Sequence, residues 1–324
     1  MDTLPKKYEP DHVPSSTGSR MILGHQLAAY ERLLAVAGAS FYAQRQSLPV
    51  RPRTNTLLVG PSGSGKSFLA GAVAKTLGAP FLSISSAEWV LIGCTQRGAK
   101  TTWPLIVKFL QQNSKSDGVV LFLDEVDKLC GHTSYETFLR TEAYKLLDWG
   151  IPEGLCDSDG EAICKNHIDA ARDVLTNKTF IIGAGAFQGI WEGRSKASIG
   201  FSDQASPSLP VSLGDLSGTL PRELTNRFRA EVITLPKLTR DDYLRMISQT
   251  STQVPADLRD TFLRLAQERI ETAVECQQGC RFLEEIILDS IIHERESING
   301  SKRPNEYPAF KEQPDQLPPG GPGF

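Results

Sequence analysis

A glycine-rich stretch at residues 60–67 constrains the fold more than any other part of this 324-residue sequence. It follows an apolar run at residues 57–59 and precedes a stretch rich in alanine and leucine. Its residues are Gly60, Pro61, Ser62, Gly63, Ser64, Gly65, Lys66 and Ser67. A strand, a glycine-rich turn and a helix start, in this order, are typical of a loop that wraps phosphate groups. The sequence therefore predicts a nucleotide-binding strand–loop–helix unit.

The residue types of this loop suit the chemistry of a nucleoside triphosphate. Glycines let backbone N–H groups turn toward the phosphates, and Lys66 would reach the β- and γ-phosphates. Ser67 would bind Mg²⁺ through its hydroxyl group. A helix that opens at Ser67 adds the positive end of its dipole. We therefore expect ATP and Mg²⁺ as cofactors.

Two acidic residues follow a second apolar run, at residues 119–123. A continuous apolar run of this kind is typical of a parallel strand buried on both faces. Acidic groups at its C-terminal end lie where open α/β sheets bind ligands. Asp124 would hold Mg²⁺ opposite Ser67, and Glu125 would orient and deprotonate the attacking water.

Further apolar runs predict strands at residues 81–84, 179–187 and 232–235, separated mostly by helical patterns. Residues 153–177 are polar and predict a surface excursion, and residues 188–219 predict a long loop. Alternating strands and helices around a phosphate loop indicate an α/β fold with a doubly wound parallel sheet. We expect this P-loop domain at residues 19–236, a small helical domain at 237–300, and flexible tails at 1–18 and 301–324.

Composition narrows the function classes only slightly. The net charge is −3 and the isoelectric point is about 6.0, so the whole chain has no general attraction to nucleic acid or anionic membranes. No apolar stretch approaches the length of a membrane span. The six cysteines are scattered without a C-x-x-C pair, so the sequence does not predict a zinc site. Unpaired cysteines also favour a reducing, cytoplasmic location.

The order of these motifs resembles that of the AAA+ ATPases, and within them the ClpX/HslU-like branch, over roughly residues 20–297. Residues 60–67 and 123–128 resemble the Walker A and Walker B motifs, and residues 182–187 resemble the sensor-1 strand. Residues 22–26 resemble the adenine-side motif, which implies that Ile22 and Leu23 contact the nucleotide. The resemblance implies an AAA+ core followed by a helical lid domain.

The same resemblance implies two arginines for the reaction. Residues 220–228 resemble the segment that carries the arginine finger, which implies Arg227, with Arg229 as an alternative. Residues 279–281 resemble the sensor-2 motif, which implies Arg281 at the nucleotide. A finger from a neighbouring subunit stabilises charge on the transferring phosphoryl group. The catalytic residues implied are Lys66, Glu125 and Arg227, in a homo-oligomeric ring of six subunits.

Two segments bear on the partner. Residues 90–98, at the place of the first pore loop, contain no aromatic residue, and the flanking Trp89 and Trp103 are expected to pack in the core. Ile199, Gly200 and Phe201 resemble a tripeptide that docks a peptidase.

The leading hypothesis is an ATP-hydrolysing chaperone or unfoldase that remodels a protein partner. One alternative is a nucleic-acid-dependent ATPase of a transposition, plasmid, phage or defence system, with Arg97, Lys100 and Lys108 lining a basic pore. Another is a switch whose nucleotide only controls assembly, although Glu125 argues for turnover.

Overall fold

The structure is a computed structural model that describes residues 21–46, 48–91, 101–131, 133–156, 161–190 and 211–300, with side chains described through residue 296. Both expected tails, the tripeptide at residues 199–201 and residues 92–100 of the expected pore-loop region lie outside the described residues. Arg97 and Lys100 are therefore outside them as well.

Five strands form one sheet in the order β2-β3-β4-β1-β5, and every pair is parallel. The strands are β1 (Thr56–Val59), β2 (Phe81–Ser85), β3 (Val119–Asp124), β4 (Thr179–Gly185) and β5 (Val232–Thr234). β1 and β4 are buried along their whole length, as expected for strands covered on both faces. The predicted α/β fold with a parallel sheet is confirmed.

The strand register brings the two nucleotide motifs together. Val59 at the end of β1 pairs with Gly185 of β4, and Leu123 near the end of β3 pairs with Gly183 of the same strand. The carboxyl ends of β1 and β3 therefore flank β4 at one edge of the sheet. This edge is where an open α/β sheet binds its ligand.

Helices cover both faces of the sheet. On one face, α1 (Gly24–Gln44) and α2 (Lys66–Thr76) pack on alternate strand residues such as Leu58 and Phe122. On the other face, α3 (Thr102–Gln112), α4 (Ser134–Leu147) and α5 (Lys165–Asn177) pack on the intervening strand residues. Two short helices follow, α6 (Leu213–Leu216) and α7 (Arg222–Thr225).

Three further helices share a core of their own: α8 (Arg240–Ser251), α9 (Ala256–Cys276) and α10 (Cys280–Gly300). Tyr243 lies at its centre, fully buried, with its ring edge-on to Phe282 at 5.6 Å. Its hydroxyl group donates to the carbonyl oxygen of Ala273 at 2.9 Å and accepts from the backbone N–H of Gly279 at 2.8 Å. This residue therefore fixes the turn from which α10 starts.

The expected surface excursion at residues 153–177 was wrong in its second half, where α5 forms. Ala171, Val174 and Leu175 of α5 are buried against α3 and the sheet, although the helix is polar in average composition. Their helical spacing makes one apolar stripe, which outweighs the many polar residues on the other faces. The expected loop at 188–219 likewise contains α6.

Trp89 and Trp103 pack against each other, as the sequence predicts. Their rings meet edge-on with centroids 6.0 Å apart, and each side chain is at most 1% exposed. The indole N–H of Trp89 donates to Glu142 at 2.8 Å. Among the described helices, none is long and apolar enough to cross a membrane.

Candidate nucleotide site

The phosphate loop closes around its own lysine. The ammonium group of Lys66 donates to the carbonyl oxygens of Gly60 and Pro61 at 2.8 and 2.9 Å. Gly65 precedes the lysine in the left-handed conformation, with φ of 90°, and α2 starts at Lys66, one residue before the expected Ser67. Because phosphate oxygens are stronger acceptors than carbonyls, a bound triphosphate would compete for this ammonium group.

Ser67 and Asp124 form an oxygen pair suited to Mg²⁺. The Ser67 hydroxyl donates to Oδ2 of Asp124 at 2.7 Å, although the two residues are 57 positions apart in sequence. Mg²⁺ prefers such hard oxygen donors and completes its shell with waters and substrate phosphates. The residues present therefore fit the ion, and Ser67 and Asp124 would hold it. When bound, the ion would neutralise charge that develops on the phosphates.

Glu125 follows Asp124 in a left-handed conformation, with φ of 56°. Its backbone N–H donates to Oδ1 of Asp124 at 2.9 Å, and its Oε2 accepts from the hydroxyl group of Ser85 at 2.9 Å. Ser85 ends β2 and pairs in register with Asp124. Sequence reasoning missed Ser85, and its only signal was a serine directly after a predicted strand.

The charges around Lys66 act in opposite directions. Burial lowers the pKa of the Lys66 ammonium group, the carboxylates of Asp124 and Asp127 raise it, and the guanidinium of Arg281 lowers it further. The net result is a pKa below the ordinary value of 10.5. Arg281 thus acts on the phosphate loop electrostatically, as a residue near the phosphates would.

A cavity of about 700 Å³ joins these residues and has the size of a nucleotide site. Its lining contains Lys66, Ser67, Asp124, Glu125 and Arg281 together with Asp127, Lys128 and Glu284. Its other walls include Met21, Leu23, Gln26, Thr250, Gln253, Leu283 and Ile287. Of the residues named here, the sequence motifs assigned Lys66, Ser67, Asp124, Glu125, Arg281 and Leu23 to the site and did not assign the others.

Ile22 does not have the expected position. It is half-buried against the core between the helices and the sheet, and it is not among the residues that line the cavity. Leu23 lines the cavity, and Met21 on its other side does so too. Side chains of adjacent residues point in different directions in this extended segment, so only alternate residues face the cavity.

The phosphate loop contacts the start of α10 through a backbone hydrogen bond. The N–H of Cys280 donates to the carbonyl oxygen of Gly63 at 2.9 Å. A Cβ on Gly63 would overlap the carbonyl of Gln278, and a Cβ on Gly279 would overlap the carbonyl of Gly63. Both glycines have positive φ, so this close approach requires glycine twice. Arg281 follows immediately and is thereby held at the loop.

Gln26 ties α1 to the same loop. Its amide group donates to the carbonyl oxygen of Ser64 at 3.0 Å and accepts from the backbone N–H of Leu23 at 3.1 Å. The residue is 1% exposed, so these bonds are protected from water. Gln26 therefore links the segment that contains Leu23 to the phosphate loop.

Arg227 lies away from this cavity. Its Nε and Nη2 are each 2.8 Å from Oδ2 of Asp148, and its guanidinium stacks over the ring of Tyr144 at 4.1 Å. The alternative, Arg229, pairs with Glu231 at 3.0 Å. Neither arginine is among the residues that line the cavity.

Asn55 explains the position of Arg227. Its buried amide donates to the carbonyl oxygens of Leu147 at 2.7 Å and Arg227 at 3.0 Å. Asn55 immediately precedes β1, whereas Gly60 immediately follows it, and four strand residues span about 13 Å. The backbone of Arg227 is thus fixed at the edge of the sheet opposite to the phosphate loop of the same chain.

Comparisons with known proteins agree with this geometry. Residues 56–150 match the family model described as "ATPase family associated with various cellular activities (AAA)". The chain is similar to an "ATP-dependent Clp protease ATP-binding subunit ClpX" of Treponema denticola, at 26% identity over 87% of the chain and 76% of that protein. It is also similar to a "ClpA homolog protein" of Fuscovulum blasticum, at 26% identity over 85% of the chain. A "Vacuolar protein sorting-associated protein 4" of Dictyostelium discoideum is 35% identical over 25% of the chain.

The matches cover only 32% and 17% of the lengths of the last two relatives. The family match contains the Walker A and Walker B residues and ends just after α4. Residues 56–150 therefore match the AAA ATPase family, and the chain has the P-loop nucleotide-binding fold.

Proposed function

We propose that the protein is a Mg²⁺-dependent ATPase that forms a ring, a hexamer, and remodels or unfolds a protein partner in the cytoplasm. The proposal rests on the separate locations of two groups of proposed catalytic residues within one chain. Lys66, Asp124 and Glu125 meet in one cavity, whereas Arg227 is held at the opposite edge of the sheet. A second copy could supply the arginine that the site lacks.

In this proposal the residues of the cavity divide the work. Backbone N–H groups of residues 60–67 and the Lys66 ammonium bind the phosphates, and Ser67 and Asp124 hold Mg²⁺. Glu125 accepts a proton from the attacking water. Arg281 contacts the γ-phosphate from the start of α10, so that hydrolysis changes the contact between the helical domain and the core.

The proposed partner is a protein because the similarity to ClpX covers most of both chains. The proposed domain limits are 19–236 for the AAA+ domain and 237–300 for the helical domain, whose buried side chains form a separate cluster. Peptidase docking through residues 199–201 stays a prediction. The nucleic-acid alternative retains Lys108, which is exposed on α3, as its only described residue.

Turnover of four proteins tests the catalytic part: the wild type, Lys66→Ala, Glu125→Gln and Arg227→Ala. We expect Lys66→Ala to lose nucleotide binding, since Lys66 carries the positive charge of the phosphate loop. Glu125→Gln and Arg227→Ala should bind ATP but hydrolyse it at least a hundredfold more slowly. Wild-type turnover in all three variants would refute the proposal.

Particle images with a slowly hydrolysed ATP analogue test the ring and its size. Turnover should rise with an unfolded protein substrate and should not respond to DNA. DNA-stimulated turnover that falls steeply with salt would support the nucleic-acid alternative instead. A ring with no measurable turnover would support the switch.

A further inference from the structure

The guanidinium of Arg227 is surrounded by three groups of its own subunit. Nε and Nη2 contact one carboxylate oxygen of Asp148, and Nη1 donates to the carbonyl oxygen of Glu223 at 2.5 Å. Tyr144 covers one face of the guanidinium plane. The Arg227 side chain is 23% exposed, so the guanidinium is half-buried and still reaches the protein surface.

These contacts leave part of the guanidinium available. Arginine has five N–H groups, of which Asp148 and Glu223 take three. One N–H on each terminal nitrogen has no partner in the described part of the chain. Two such groups form a fork that matches two oxygens of a phosphate. Asp148 and Glu223 therefore hold the guanidinium of Arg227, while the remaining N–H groups on its two terminal nitrogens stay able to bind an anion.

Asp148 has no evident role in the stability of its own helix. It caps the C-terminal end of α4, where the helix dipole is negative and a carboxylate is unfavourable. Its side chain is 53% exposed, so its removal uncovers little apolar surface. The adjacent Leu147 is tied to Arg227 through Asn55, which keeps the carboxylate and the arginine side by side.

We propose that Asp148 is a positioning residue of the arginine finger: it holds Arg227 so that the two terminal N–H groups face the γ-phosphate bound by a neighbouring copy. This inference rests on the proposed function, because it requires Arg227 to act between subunits. Tyr144 supports the plane of the guanidinium, and Asn55 fixes the backbone from which the side chain starts.

The surroundings of Arg229 favour Arg227 over this alternative. The partner of Arg229 is Glu231, which also takes two hydrogen bonds of 2.6 Å from Arg32 of α1. The two arginines lower the pKa of the Glu231 carboxyl below its usual value, Arg32 having the larger effect. Arg229 thus belongs to an ion-pair cluster that joins β5 to α1 within one subunit.

Mixed rings separate the two sides of the shared site. Glu125→Gln subunits keep Arg227 but cannot hydrolyse, whereas Arg227→Ala subunits keep a complete nucleotide cavity. Each variant alone should be inactive, and the mixture should regain turnover because one supplies the finger to the other. If the mixture stays as inactive as its components, the proposed trans finger fails, and that failure is visible before Asp148 is changed.

Asp148→Ala is then added to one side at a time. On the Glu125→Gln subunit, which supplies the finger, it should lower kcat of the mixture about tenfold, as is typical for partners that orient a ligand, and leave KM within about twofold. On the Arg227→Ala subunit it should leave the turnover of the mixture as it was. Equal loss from both sides, or no loss from either, would overturn the inference.

Two controls address charge and folding. Asp148→Asn keeps an oxygen acceptor and should restore part of the loss on the finger side. Asp117→Ala removes a carboxylate that is 97% exposed and makes only a long contact, 3.9 Å, with Arg45. It should leave the turnover of the mixture unchanged. Thermal midpoints within a few degrees of each other would show that every variant is folded.

Discussion

The hydroxyl group of Ser85 donates a hydrogen bond of 2.9 Å to Oε2 of Glu125, the carboxylate proposed to activate water. The bond aims the carboxylate at the end of β2. In the isolated chain, one carboxylate oxygen of the proposed base therefore already accepts a hydrogen bond from Ser85 of β2.

Ser85→Ala should raise basal ATP turnover about threefold, since the carboxylate of Glu125, freed from this hydrogen bond, can turn toward water. Steady-state hydrolysis measures the effect, with Ser83→Ala as control because that serine is exposed on the same strand. A fall in kcat after Ser85→Ala would mean instead that the bond aligns Glu125 for the reaction.

Gly279→Ala should weaken nucleotide binding at least tenfold, or about 1.4 kcal/mol. A methyl group there overlaps the Gly63 carbonyl, so α10 and the phosphate loop must separate. Calorimetric titration with ADP measures the loss. The matched control is Gly38→Ala, since a Cβ at Gly38 meets nothing within 4 Å and the helix gains stability. Equal affinity of both variants would show that the backbone contact is dispensable.

Tyr243→Phe should lower the free energy of unfolding by about 1–3 kcal/mol. The variant keeps the ring packing on Phe282 but leaves the N–H of Gly279 and the carbonyl of Ala273 without their shared partner. Urea unfolding measures the change. Nucleotide binding should weaken as well, because the same turn places Arg281. A loss of stability without a loss of affinity would separate the two effects.

Stability should depend on pH through His25. Both of its ring nitrogens are buried without a hydrogen-bond partner among the described residues. Burial lowers its pKa below 6.5, while the backbone of Ser64 and the charge of Asp242 oppose the shift. The neutral form is favoured in the folded state, so this contribution is complete above pH 6.5 and is lost as pH falls through the folded pKa.

The slope from this one group is at most about 1.4 kcal/mol per pH unit. Unfolding free energies between pH 7.5 and about 5 measure it. His25→Gln should flatten the curve below pH 6.5, whereas the same change at the exposed His293 should not. Identical slopes for the wild type and His25→Gln would contradict the assignment.

The sequence predicted most of the sheet and placed the residues of the two nucleotide motifs at the site, because both depend on local patterns. An apolar run followed by Asp124 and Glu125 indicates a buried strand and its ligand edge without any tertiary information. The rest of the lining depends on which residues of distant helices approach the loop, and Thr250 and Ile287 carry no local signal. α5 was missed because its apolar stripe is narrow in a polar segment.

Ser85, Asp148 and Asn55 were beyond sequence reasoning for a related reason. Each acts on a residue at least 40 positions away, and only the strand register and the end of α4 bring the pairs together. Their residue types are also common at strand and helix ends, where a local role is the usual interpretation.

Arg227 lies near the start of β1, and the phosphate loop follows its end. These separate locations have a consequence for assembly. Any contact that brings the arginine of one copy to the loop of another joins two different surfaces, so it is head-to-tail rather than two-fold symmetric. Repetition of such a contact either closes after a whole number of copies or continues as a helical filament. In both cases the two ends of the assembly differ. A change at one nucleotide directly affects the neighbouring copy on one side, the one whose arginine contacts it.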